Sequence, residues 1–413
     1  MNQNNLESGF AGLGLDPELL SALGGHGYQK PTPIQAEAIP HAVAGKDIVG
    51  IAQTGTGKTL AFLAPILNGL GRGSVRRALI LAPTRELALQ IEEVCEKIAR
   101  PFGYRSAVLI GGASMGRQIA QLRSRPEIIV ATPGRLQDHI DSKRLTLRDV
   151  SVVVLDEADR MLDMGFLPAV ERLMEHLPSK RQTMLFSATM PTEIASLASR
   201  FMSGPVTIEI ERPGTAATNV RQELFVIPRD DKNAVLDQIL VDYDGTILVF
   251  ARTRHGARKL AKVVRSMGHS AAEIHSDRTM AQRREALDGF KDGRFRVLVA
   301  TDIASRGIDV RNIGVVVNYD LPENPDDYVH RIGRTGRAGE NGVAITLATP
   351  DQSKEIRLIE RAIRSQIPRN GHSAELERPD PGTKVSAHVH RHSRAKRPFG
   401  RSPRNGTASA LRK

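Results

Sequence analysis

The chain is poor in the features that mark secreted or membrane proteins. Its 413 residues include a single cysteine, Cys95. A disulfide scaffold is thereby excluded, and a silent buried thiol in a reducing compartment is expected. No run of 18 apolar residues occurs, and Met1-Asn2-Gln3-Asn4-Asn5 lacks the basic-then-apolar pattern of a secretory signal. These absences predict a soluble, cytoplasmic protein with no membrane association. From Lys384 to Lys413 there is no Asp or Glu, but nine Lys or Arg, so this stretch carries +9 of the formal +12. It also has almost no large apolar residues, and Phe399 is its only aromatic. Such a segment cannot bury a core and offers little for base stacking. It reads as a disordered basic arm that attracts phosphate backbones without sequence choice.

What remains is an ordinary globular body, 40% hydrophobic overall. At about 150 residues per domain, two α/β units plus a tail fit the length. Short Val/Ile/Leu runs alternate with helical stretches: Ala78–Ala82, Glu127–Ala131, Ser151–Leu155 and Thr183–Phe186, then Gly245–Phe250, Arg296–Ala300, Val315–Val317 and Val343–Leu347. This rhythm predicts parallel sheets with right-handed crossovers. The expected division is a first domain over 1–207, a linker over 208–218, a second domain over 219–368 and the tail over 369–413.

Two segments of the first unit carry chemistry. Asp47–Ile51 reads as a strand, and Ala52-Gln53-Thr54-Gly55-Thr56-Gly57-Lys58-Thr59 follows it. Gly55 and Gly57 permit backbone conformations that turn successive N–H groups toward an anion. Lys58 supplies a cation for the terminal phosphates, and the Thr59 hydroxyl suits Mg²⁺. The helix from Leu60 would aim its N-terminus at the phosphates. The usual pattern opens with Gly, and here Ala52 stands there, which a negative φ tolerates. The second segment is Val152-Val153-Val154-Leu155-Asp156-Glu157-Ala158-Asp159, a buried strand that delivers two acids at its open end. Asp156 would orient Mg²⁺, and Glu157 would polarise the attacking water. Together they describe metal-assisted cleavage of a phosphoanhydride.

The loop and the quartet Asp-Glu-Ala-Asp resemble those of the DEAD-box ATP-dependent RNA helicases, and the match continues from about Phe10 to Gly339. The short body and basic tail look most like the bacterial RhlE-type members. The resemblance implies two tandem RecA-like parallel-sheet domains. It implies RNA-dependent ATP hydrolysis coupled to local, non-processive unwinding of short duplexes or remodelling of RNA–protein complexes.

Within that frame, further residues acquire expected roles. His330-Arg331-Ile332-Gly333-Arg334-Thr335-Gly336-Arg337 places three arginines within seven residues. Arg334 and Arg337 would be fingers supplied by the second domain, joined by His330. Gln35 presents the paired donor and acceptor that suit an adenine edge. It stands in Gly27-Tyr28-Gln29-Lys30-Pro31-Thr32-Pro33-Ile34-Gln35, and the resemblance implies that Phe10 packs on the base and that the nucleotide is ATP. Asp309 would meet the ribose. Thr84 and Arg85, Gly112, and Thr132, Gly134 and Arg135, with Thr301 in the second domain, would grip the sugar–phosphate backbone of single-stranded RNA. Ser187 and Thr189 would couple the two sites. Ser305 replaces a commoner Ala. At position 280, five residues after His275, the family usually has Gln where this chain has Met280; Arg283 follows as expected, and Gln282 is nearby.

Ribosomal precursors, RNA-decay complexes and structured messages in the cold all fit as targets, and a monomer is expected. Two rival readings are a DNA-directed translocase and an ATP-gated RNA clamp without productive unwinding.

Overall fold

The computed structural model describes residues 9–53, 55–210, 220–302, 313–336 and 341–370. The expected basic arm lies outside them. Among the described residues, no helix is long and apolar enough to cross a membrane.

Two fully parallel sheets organise the chain. The first holds β1 (Ile48–Ile51), β2 (Ala78–Leu81), β3 (Ser106–Leu109), β4 (Ile128–Ala131), β5 (Val152–Asp156), β6 (Gln182–Ser187) and β7 (Val206–Glu209), in the order β3-β4-β2-β5-β6-β1-β7. The second holds β8 (Val220–Val226), β9 (Thr246–Phe250), β10 (Ala271–Ile274), β11 (Val297–Ala300), β12 (Ile313–Asn318) and β13 (Gly342–Ala348), in the order β10-β11-β9-β12-β13-β8. Strands such as Ala78-Leu79-Ile80-Leu81 are buried along their whole length because helices cover both faces. Their side chains alternate between two cores: Ala78 and Ile80 join one cluster, Leu79 and Leu81 the other.

Both expected domain edges fall inside structured chain. Ile208 and Glu209 belong to β7, and Ile210 N–H donates to the Ile51 carbonyl, so pairing with β1 runs into the expected linker. At the other end, Leu224 N–H donates to Pro368 O and Asn370 N–H to Leu224 O, which ties the chain beyond 368 to β8.

The strand order decides what meets what at the C-terminal edge of the first sheet. β5, β6 and β1 are neighbours, with Ile51 opposite Ser187 and Asp156 opposite Phe186. The phosphate loop, the acids and Ser187 therefore emerge side by side. On the other side of β5, the strands β2, β4 and β3 end at the segments that begin at Ala82, Thr132 and Ile110. One sheet edge thus carries the expected nucleotide segments and the expected RNA segments in adjoining halves.

Candidate nucleotide and RNA site

The phosphate loop is shaped by glycine where nothing else would serve. Gly55 and Gly57 both have φ of 92°. A Cβ at Gly57 would also collide with the Gln35 amide. Ala52 is not among the residues with positive φ; its N–H donates to Ser187 O, and its methyl is buried in the core. The departure at this position therefore costs the loop nothing. Lys58 is the first residue of the Lys58–Gly71 helix, is 6% exposed, and donates from Nζ to Ala52 O at 2.9 Å. The helix begins two residues earlier than expected. Thr56 Oγ1 donates to Gln53 O at 2.8 Å, and Thr59 is half-buried beside Lys58. Thr54 lies outside the described residues.

Asp156 ends β5 and Glu157 is the turn after it; both are buried. Glu157 has φ 54° and ψ 55°, a left-handed conformation that a residue with a Cβ adopts at a cost. That turn swings it off the strand and makes it the N-cap of the Ala158–Asp163 helix. The two carboxyls are pushed in opposite directions. Burial raises Asp156 to about 7, Lys58 opposes the rise, and Glu157 adds to it. Burial would also raise Glu157, but Arg160, Lys58, Arg334 and His330 outweigh it and hold the group down at about 2. Adjacent acids with separated roles are what acid–base and metal chemistry require. Glu157 is kept as a carboxylate able to polarise water. Asp156 has a buried Oδ1 with no hydrogen-bond partner, a donor atom available to a cation. No group of three or more His, Cys, Asp or Glu able to hold a metal occurs among the described residues. The donors present therefore fit Mg²⁺ held by one carboxylate, a hydroxyl and phosphate oxygens rather than an all-protein cage.

Arg160 was not expected in the site. It is 1% exposed, and its Nη1 lies 3.4 Å from Glu157 Oε2. Three residues separate the pair on one helical turn, and that spacing was the available signal.

The second half brings its own basic groups to Glu157. Arg334 is 3% exposed and donates from Nε to His330 O at 3.3 Å. His330 lies 3.8 Å from Asp327. Gly333 sits close to the phosphate loop: a Cβ there would lie 3.8 Å from Gln53 Oε1. Arg331 differs from its neighbours. It is 2% exposed and fully spent inside the second half, donating to Asp302 at 2.6 and 2.7 Å, to Asn318 Oδ1 and to Asp320 O, with its guanidinium over Phe250. It braces the segment. Arg337 and Asp309 lie outside the described residues.

The adenine segment is tied to the phosphate loop. Gln35 is 4% exposed; its Oε1 accepts from Thr32 N–H and its Nε2 donates to Gly57 O at 2.9 Å. Thr32 is the N-cap and Gln35 is N3 of the Pro33–Val43 helix, in a capping box. One amide N–H and one lone pair of Gln35 are left for an adenine edge. Phe10 is 5% exposed and belongs to the core cluster. Tyr28 is half-buried against the same core.

The expected RNA segments prove to be partly structural. Thr84 is buried and accepts Leu87 N–H as the N-cap of the Arg85–Ala99 helix, leaving its hydroxyl proton to donate. The Arg85 guanidinium lies against Gly111 and Gly112, and a Cβ at either would press on it. Thr132 starts the Pro133–Asp141 helix, Gly134 is exposed on its first turn, and Arg135 pairs loosely with Asp138 at 3.4 Å. Thr301 follows β11 and opens on a cavity of about 470 Å³ shared with Arg252, Asp302 and, from the first half, Asp163 and Met164.

Ser187 and Thr189 meet the acidic turn through Asp159, whose part is visible only in the fold. Ser187 Oγ accepts Asp159 N–H at 3.1 Å, and Asp159 Oδ2 accepts from Ala188 N, Thr189 N and Thr189 Oγ1.

Comparison with known proteins supplies independent bearings. The family model described as DEAD/DEAH box helicase matches residues 32–197, and that of the helicase conserved C-terminal domain matches 231–339. A DEAD-box ATP-dependent RNA helicase CshA of Bacillus cereus is 44% identical over 363 residues, covering 87% of this chain and 69% of its own length. An ATP-dependent rRNA helicase RRP3 of Scheffersomyces stipitis is 42% identical over 88% of this chain and 76% of its own. Among solved structures, S. cerevisiae Dbp5 bound to RNA and ADP BeF3 superposes with a TM-score of 0.80 at 31% identity, over 89% of this chain and 97% of the other.

Proposed function

From the premise that this chain belongs to the DEAD-box ATP-dependent RNA helicases, we propose that it couples closure of its two halves on ATP and single-stranded RNA to local, non-processive separation of short duplexes. The observation that carries this reading is the position of Glu157, buried among basic side chains of both halves: Arg160 and Lys58 from the first, Arg334 and His330 from the second. Hydrolysis is then conditional on closure, because only the closed arrangement completes the electrostatics around the base.

In this reading Gln35, Tyr28 and Phe10 receive adenine. Gly55, Thr56, Gly57 and Lys58 cradle the phosphates, with Thr54. Thr59 and Asp156 would hold Mg²⁺, which would neutralise charge on the terminal phosphates. Glu157 orients the attacking water. Arg334, with His330 and Arg337, stabilises charge that develops on the transferred group, and Asp309 meets the ribose. Thr84, Arg85, Gly112, Thr132, Gly134, Arg135 and Thr301 contact the RNA backbone. Because ATP and RNA each favour the same closed state, each raises the affinity for the other. A strand bent to fit the closed cleft cannot stay in an A-form duplex. Superposition on a relative bound to RNA and a nucleotide supports the closed reading.

The physiological target is a finer proposal. Ribosomal precursors are favoured by the relative whose name specifies rRNA. RNA decay, cold adaptation and action as a monomer are further proposals; a cytoplasmic location rests on the single cysteine and the absence of a signal pattern, and an RhlE-type placement on the short body and basic tail.

The deciding experiment is steady-state ATP hydrolysis with RNA, with single-stranded DNA and with neither. RNA-specific stimulation is expected. Equal stimulation by DNA would replace the reading with a DNA-directed translocase, and RNA binding without turnover would replace it with an ATP-gated clamp.

A further inference from the structure

Two helices from different halves of the molecule face each other, Arg85–Ala99 and Met280–Lys291. Glu86, Leu89 and Glu93 share one face of the first; Met280, Arg283 and Lys291 share one face of the second. These faces line a common cavity of about 260 Å³. Charges across it are complementary. Arg283 Nη2 lies 2.9 Å from Glu86 Oε1, and Lys291 lowers the pKa of Glu93, though less than its neighbour Lys97 does.

The Glu86–Arg283 pair is close but poorly aligned. Its side chains are 8% and 11% exposed, yet Glu86 Oε1 and Arg283 Nε have no hydrogen-bond partner. A desolvated pair without directed hydrogen bonds returns little beyond the cost of burying its charges. Something else must hold the faces together.

Met280 is placed to do it. The core of the first half is built from residues 10–208, and the partly buried hydrophobics packed on it come from the first half, with the exception of Met280. The rest of its helix, through Ala286, Leu287 and Phe290, packs into the second half. Met280 is therefore the hydrophobe that leaves its own half and seats on the other. Its aim is fixed locally. Thr279 is the N-cap, Gln282 N–H donates to Thr279 Oγ1, and Thr279 N–H donates to Gln282 Oε1. Gln282 is thus committed to the cap and does not stand in for the glutamine usual at position 280.

We propose that Met280 is a positioning residue for closure, a flexible apolar plug that seats on the Arg85–Ala99 side of the first half. The contact rests on the closure reading given above and deepens it. A thioether chain adapts to a loosely packed site better than a branched one. It also makes the closed state depend on apolar burial, which salt screens far less than it screens an ion pair.

The test uses the full chain and Met280→Ala, with Met280→Leu as the conservative variant. Compaction on adding single-stranded RNA and a non-hydrolysable ATP analogue is read by small-angle X-ray scattering, alongside RNA-stimulated hydrolysis. Losing a half-buried methionine contact should raise the RNA concentration for half-compaction and for half-maximal hydrolysis about fivefold. The turnover at saturating RNA should stay within about twofold, and nucleotide affinity without RNA should not change. Met280→Leu should behave nearly as the parent. Unshifted half-compaction in Met280→Ala overturns the Met280 assignment alone. So does an equal loss in both variants accompanied by a lower melting temperature, since that is a structural effect. Absence of compaction in the parent chain overturns the closure reading itself, and this proposal with it.

Discussion

Thr189 meets Asp159 twice: its backbone N–H and its hydroxyl both donate to Oδ2, at 2.9 and 3.0 Å. Ala188 N–H donates to the same oxygen at 3.1 Å. The turn that carries the catalytic acids is thereby bolted to the segment after β6. In the proposed reading, this link would carry a phosphate-side event to an RNA-side strand end. Thr189→Val removes one of three bonds and keeps the two from the backbone. It should cost about 1 kcal/mol of stability, measurable by urea unfolding. Duplex separation should fall more than ATP hydrolysis does; a parallel loss of both would show that the link serves the fold only.

Glu157 is held as a carboxylate chiefly by Arg160, Lys58 and Arg334 around it. Replacing it with Gln keeps its size and its left-handed turn but removes the base. ATP binding, measured with a fluorescent analogue, should persist while turnover falls by roughly 10²–10⁴-fold. Unchanged turnover would remove Glu157 from the reaction.

Arg334 reaches Glu157's surroundings from the second half and is nearly fully buried. Arg334→Ala should lower RNA-stimulated turnover by about 10³-fold. Nucleotide affinity in the absence of RNA should stay near the parent value, because the nucleotide segments belong to the first half. A matching loss of nucleotide affinity would mean that Arg334 acts in the ground state and is not a finger.

Burial pushes the Cys95 thiol well up from its ordinary value, and nearby Glu92 and Glu96 add to that. A raised pKa leaves the group protonated across neutral and mildly alkaline pH, and only the thiolate is reactive. At pH 8 a chromogenic disulfide reagent should therefore react slowly with the native chain and at once in denaturant. Rapid native reaction would show that the Arg85–Ala99 helix opens readily.

The nine cations between Lys384 and Lys413 should act on RNA through counterion release. A chain ending at Glu377 should need more RNA for half-maximal hydrolysis and should show a shallower dependence on salt, at an unchanged turnover at saturation. An identical salt dependence would leave the tail without a part in RNA affinity.

The sequence alone determined the parts whose chemistry is local. A phosphate loop needs glycine at positions with positive φ, and Gly55 and Gly57 are adjacent to the lysine they serve. Central strands such as Ala78–Leu81 announce themselves because burial on both faces demands an unbroken apolar run. The strands that went unread are those where burial is shared or tolerates polar groups. β3 and β7 lie at the two edges of the first sheet, β8 reads Val-Arg-Gln-Glu-Leu-Phe-Val at an edge of the second, and β10 carries Glu273, whose burial Arg265 and Arg278 make possible. Tertiary structure decided everything that joins distant segments. It placed Arg160, Arg334 and His330 around Glu157, spent Arg331 on Asp302, turned Phe10 into the core, and seated Met280 on the opposite half. A side chain's type states what it can bond. Which partner it finds is set by strand order and by closure, and neither is written in the spacing of residues along the chain.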